Sequence, residues 1–116
     1  MYRQMTIFDF LGPAYPDIKT ITEAEAVRIV GDALGVRFVW SEFFQEWESV
    51  KGKVKLSLNY SHYNLTDNHD LFLGAGYAYR TGGGGRPCDS VKEAIAYLER
   101  KVQEVKNEST GNKSNS

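Results

Sequence analysis

A chain of 116 residues, 41% hydrophobic and 13% aromatic, can bury one core and has little room for a second domain. Its 14 basic and 15 acidic residues leave a formal charge of −1, which argues against a nucleic-acid binder that is basic over its whole surface. The single cysteine, Cys88, excludes an internal disulfide and a multi-cysteine zinc site and fits a reducing cytoplasm.

The apolar runs are too short to span a bilayer, and the opening residues lack the layout of a signal peptide. Residues 1–21 read as an arm, interrupted by Gly12-Pro13 and Tyr15-Pro16 because proline fixes φ and removes a donor. Thr22-Glu23-Ala24-Glu25 is a capping box, and Ala26, Val27, Ile29, Val30, Ala33 and Leu34 follow at helical spacing up to Gly35. This predicts a helix over 23–34. Residues 36–47 read as one strand on their aromatic and β-branched content, although Phe43, Phe44 and Trp47 also share a helical face.

Lys53–His62 alternates cleanly, with Val54, Leu56, Leu58 and Tyr60 on one side and Lys53, Lys55, Ser57, Asn59 and Ser61 on the other. Asp70–Arg80 alternates as well, and its two glycines empty one face. Gly82-Gly83-Gly84-Gly85 reads as a flexible connection to a second capping box at Ser90–Glu93. Val91, Ala94, Ile95, Leu98, Val102 and Val105 then predict a long amphipathic helix. The expected architecture is a single α+β domain over 22–106 with element order α-β-β-β-α. Its three-stranded antiparallel sheet carries both helices on one face, and a disordered polar tail covers 107–116.

Candidate chemistry is sparse. A glycine-rich segment before a helix can cradle an anion, and Arg80 and Arg86 flank Gly83 and Gly84, yet neither nucleotide-binding glycine pattern is present. His62 and His69, with Asp67 and Asp70, have no spacing that brings three ligands together, so no metal and no cofactor are expected. Cys88 has no local catalytic signature, and no carboxylate pair argues for acid–base work, so the chain reads as a non-enzyme. Lys51, Lys53 and Lys55 beside Ser57 and Asn59 suggest a cationic open face for phosphates or an acidic protein. The charge is divided to match: residues 1–50 hold 4 basic and 8 acidic groups, residues 51–106 hold 9 and 6.

Gln4-Met5-Thr6-Ile7-Phe8 resembles the sliding-clamp-binding pentapeptide of bacteria, with an amide for orientation and an apolar pair for a pocket; Phe10 extends the likeness to the eukaryotic and archaeal clamp peptide. The first eleven residues also resemble the N-termini of small accessory proteins of phages, plasmids and conjugative elements. That resemblance implies a cytoplasmic protein acting by binding, of the anti-defence or anti-CRISPR kind. The partner it implies is a host defence component or a sliding clamp, with nucleic acid as the alternative and no membrane. The α-β-β-β-α order is similar to that of double-stranded-RNA-binding domains. The lysine cluster that family carries at its last helix is replaced here by Arg86-Pro87-Cys88-Asp89-Ser90-Val91-Lys92.

Overall fold

The computed structural model describes residues 14–62, 71–80 and 82–115, with side chains as far as residue 107. Helix α1 spans Glu23–Leu34 and begins as its sequence dictates. Thr22 Oγ1 accepts from the Glu25 amide at 3.1 Å, and the Glu25 carboxylate accepts from the Thr22 amide at 2.8 Å. These bonds from Thr22 hold the Glu25 carboxyl below its ordinary pKa. The helix ends at Gly35, in the left-handed region at φ 74°, and the Val36 amide donates back to Gly31 O at 2.9 Å. That return brings the chain so close to α1 that a Cβ on Gly31 would lie 2.7 Å from Val36 O.

Five strands follow: β1 (Val39–Ser41), β2 (Glu46–Lys51), β3 (Val54–His62), β4 (Leu71–Tyr79) and β5 (Gly82–Cys88). Each pairs antiparallel with the next, giving the order β1-β2-β3-β4-β5. This corrects the expected three-stranded sheet, and with it the element order that linked the chain to double-stranded-RNA-binding domains. The extra strands come from two places. The segment read as one strand over 36–47 folds back on itself through residues 42–45. Ser41 Oγ accepts from the Phe44 amide at 3.2 Å, the Gln45 amide donates to Ser41 O at 2.8 Å, and Gln45 takes a positive φ of 57°. The glycine run, read as a loop, is the outer strand β5.

The β2–β3 connection is a two-residue hairpin, Gly52-Lys53. Gly52, at φ 64°, sits where a type II′ turn requires it. Beyond the end of β2, the Tyr60 amide on β3 donates instead to the Glu23 carboxylate at 2.8 Å, so α1 completes the sheet there. Residues 18–20 of the expected arm form a 3-10 turn whose Ile18 is buried in the core. Tyr60 Oη donates to Ile18 O at 2.9 Å and fastens that turn to the sheet.

Helix α2 spans Val91–Asn115, so its backbone continues through the stretch expected as a disordered tail. Ser90 Oγ accepts from the Glu93 amide at 3.1 Å, and Glu93 reaches back to the Asp89 amide at 2.8 Å, one residue earlier than the capping box predicts. Both helices lie on one face of the sheet, as expected. Val27, Val30 and Leu34 of α1 and Val91, Ala94, Ile95 and Leu98 of α2 bury against Leu56, Leu58, Leu73 and Ala75. Among the described residues the opposite sheet face carries no helix.

Candidate functional site: the open sheet face

Cross-strand partners share a face, so the register assigns every side chain. The open face carries Val39 on β1, Glu46, Glu48 and Val50 on β2, and Lys55, Ser57 and Asn59 on β3. Ser41 on β1, Ser61 on β3, Phe72, Gly74, Gly76 and Ala78 on β4, and Gly83, Gly85 and Pro87 on β5 complete it. Its β1–β2 end exposes four apolar side chains among Glu46, Glu48 and Lys55: Val39 and Phe44 are each 57% exposed, Val50 63% and Phe43 86%. The 42–45 turn lifts the two phenylalanines together, edge to face with their rings 4.7 Å apart. Lys55 Nζ lies 4.7 Å above the Phe44 ring and 3.1 Å from the Glu48 carboxylate. The neighbouring Glu46 carboxyl has its pKa raised, first by burial and then by its hydrogen bond to and repulsion from Glu48, with Lys55 opposing. Toward β5 the floor drops to backbone level in a shallow trough of about 380 Å³, walled by Ser57, Asn59, Phe72 and Pro87.

The three lysines do not share this face. Lys51 pairs with Val54, so the two-residue hairpin turns it to the helix side, where its ammonium donates to Leu34 O at the C-terminus of α1. Lys53 sits in the hairpin turn, at the mouth of a groove of about 430 Å³ floored by Val54, Val102 and Val105. Only Lys55 stands on the open face, and its charge is spent on Glu48.

The glycine run is not a loop at the N-terminus of α2: Gly83 and Gly84 lie within β5, and Arg86 to Ser90 intervene before the helix. Arg86 faces the helices, 3.3 Å from Glu93 and 5.9 Å from the Tyr97 ring centre. Arg100 and Lys101 approach the same ring from α2, at 5.9 and 5.7 Å, and Tyr77 meets it edge-on at 6.2 Å. Arg80 lies in the turn that follows β4. Arg86, Arg100 and Lys101 thus gather with Tyr77 and Tyr97 along the β4–β5–α2 side, a cluster that linear reading missed. Its signal lay in Tyr77 and Tyr79 two apart and in Arg100-Lys101 one helical turn beyond Tyr97.

Gln4, Met5, Ile7, Phe8 and Phe10 lie outside the described residues, as do His69, Asp67 and Asp70. His62 is exposed at the end of β3. Among the described residues no three His, Cys, Asp or Glu side chains converge on a metal position, and no helix is long and apolar enough to cross a membrane. Cys88 is buried, and burial together with Glu93 pushes its thiol up to about 11, away from nucleophilic use near neutral pH. Comparison of the chain with protein-family models, curated proteins and solved structures finds no match.

Proposed function

We propose that this protein works by binding another protein through the β1–β2 end of its open sheet face, with Phe43 and Phe44 as anchors. The observation that supports this most is the exposed Phe43–Phe44 pair, with Val39 and Val50 exposed on the same side of a sheet whose other side is filled by helices. Large aromatic side chains held rigidly on a tight turn carry binding energy at little entropic cost, and the neighbouring Glu48–Lys55 pair supplies a polar rim. In the setting that the N-terminal sequence resembles, a mobile genetic element, the partner is a component of a host defence system, blocked by occlusion. The N-terminal clamp-like peptide supplies a second protein contact within this reading. Nucleic acid is the less favoured partner for the open face, because one paired lysine replaces the expected three.

The test is protection of phage or plasmid DNA, on expression of the chain, against a panel of nuclease-based defences. Phe44→Ser combined with Val50→Ser should reduce protection by about tenfold or more while leaving the circular dichroism spectrum unchanged, since both side chains are solvent-facing. Protection by the double variant at full strength would sink the interface. Absence of protection across the panel would sink the anti-defence role.

A further inference from the structure

Helix α1 ends at Leu34, whereas α2 continues past it along the β2–β3 hairpin. Leu34, Lys51 and Val102 border one hollow beside α2, and Lys51 and Val102 border the next, which reaches Val105 and Lys106. Where α1 has stopped, a groove of about 430 Å³ opens between α2 and the hairpin. Val54 is buried at its floor, while Val102 and Val105, which continue the apolar stripe of α2, are only half-buried.

The side chains that line this groove are of two kinds only. Val54, Val102 and Val105 form its apolar body, Lys51, Lys53 and Lys106 stand around it, and no acidic residue lines it. Glu99 belongs to the adjoining hollow, with Arg100 beside it. Among the described residues no salt bridge engages Lys51 or Lys53. Lys51 donates to Leu34 O at the end of α1, and an ammonium with three donors keeps capacity for an anion as well. Lys53 is exposed in the hairpin turn, where Gly52 fixes the backbone at φ 64°. Apolar surface and unneutralised positive charge thus meet in one concave place.

We propose that this groove binds a small anionic amphiphile: an aliphatic chain that lies along the three valines and ends in a carboxylate held by Lys51 and Lys53. Each part of the ligand answers a part of the wall. The floor has no aromatic ring for a planar ligand to stack on and no side-chain acceptor, so a sugar, a nucleobase or a cation finds no partner there. The lysines attract a negative head, and no arginine is present to grip a phosphate in bidentate fashion, which favours a singly charged carboxylate. Size sets the class of partner. The volume lies toward the low end of the ~300–1,000 Å³ of small-molecule sites, and three valines offer far less than the ~800 Å² per partner of a stable protein interface. A second copy seated on the same groove would bring its own lysines against these. The groove is on the helix side of the sheet, away from Phe43 and Phe44, so either binding site stands if the other fails.

The probes are decanoate, decylammonium and decyl phosphate, each titrated into the full chain at low salt and below the concentration at which it forms micelles, with the valine methyl signals followed by NMR. Decanoate should shift the Val54, Val102 and Val105 methyls saturably and bind at least about tenfold more tightly than decylammonium. Lys53→Glu, at an exposed turn position, should weaken decanoate binding by about tenfold or more while leaving the circular dichroism spectrum unchanged. Val105→Phe, which fills the groove, should abolish the shifts at Val54 and Val102. Equal affinity for decanoate and decylammonium, or no saturable shift at these valines, would overturn the proposal. Tighter binding of decyl phosphate would overturn the carboxylate head. Valine shifts that follow protein concentration without any probe would give the groove to a second copy of the chain instead.

Discussion

Tyr60 shows how one side chain joins distant parts of the chain. It stands on β3, yet its hydroxyl donates to Ile18 O and lies near the carbonyls of Ile21 and Thr22, at 3.2 and 3.4 Å. The 3-10 turn and the start of α1 therefore hang on a phenol. Burial, followed by the nearby Glu23, Glu25 and Asp17 carboxylates, raises the pKa of that phenol above its ordinary value of 10. A folded-state pKa above the unfolded one means that the stabilisation is complete below about pH 10 and is lost as pH rises through the folded value. Tyr60→Phe should cost about 1–2 kcal/mol at pH 7, the usual worth of a part-buried hydrogen bond with carbonyls left unpaired. The gap between wild type and variant, measured by urea unfolding, should close above pH 10. A gap independent of pH across that range would show that ring packing, not the hydroxyl, holds the turn. Tyr97, whose pKa is likewise raised by burial, titrates in both proteins and cancels from the difference.

At the scale of elements, the tetraglycine strand is held by its neighbour's side chains. Tyr77 stands opposite Gly84 and Tyr79 opposite Gly82, and their nearly parallel rings, 6.3 Å apart, lie over the glycines and replace the missing side-chain cover. On the other face Gly83 fits under the β4 backbone with no space for a methyl group. The two faces thus predict opposite outcomes for neighbouring substitutions. Gly83→Ala should destabilise by about 1–3 kcal/mol through the clash with Tyr77 O, whereas Gly84→Ala should be neutral or stabilise by up to about 1 kcal/mol by restricting the unfolded chain. Urea midpoints of the two variants decide it, and equal effects would show that β5 does not hold this register. The same geometry explains why the strand was illegible. Four glycines have no β-propensity of their own, and what makes them a strand is supplied by tyrosines on the strand before. The 42–45 turn was hidden for a related reason. It contains no glycine, proline or asparagine, and relies on the Ser41 hydroxyl and on Gln45 accepting a left-handed conformation. By contrast α1, β3 and β4 were readable within a residue, because capping boxes and alternation are local signals.

Over the whole molecule, the placement of charge depended on register, which sequence alone left open. Shifting one lysine to the far side of a two-residue hairpin sent Lys51 to the end of α1 and left a face with two carboxylates and one cation. The candidate interface changed from cationic to apolar on that single residue of register. The core, by contrast, was legible because burial follows periodicity, and it forms one continuous cluster from Ile18 to Leu98. Trp47, T-shaped against Trp40 at 5.6 Å, packs on that cluster from the β1–β2 end, while Leu98 is fully buried under α2. One cluster implies one cooperative unit. Leu98→Ala should therefore destabilise by about 2–5 kcal/mol, a large share of the 5–15 kcal/mol typical of a small domain. Although the change lies beneath α2, tryptophan fluorescence from the β1–β2 hairpin should report the same shifted midpoint as far-ultraviolet circular dichroism. Separate midpoints would mean that the hairpin unfolds on its own. The proposed anchors Phe43 and Phe44 would then sit on a locally unfolding element, where ordering the turn would subtract from binding energy. Coincident transitions would place those anchors on the most stable part of the molecule, as a preorganised binding surface requires.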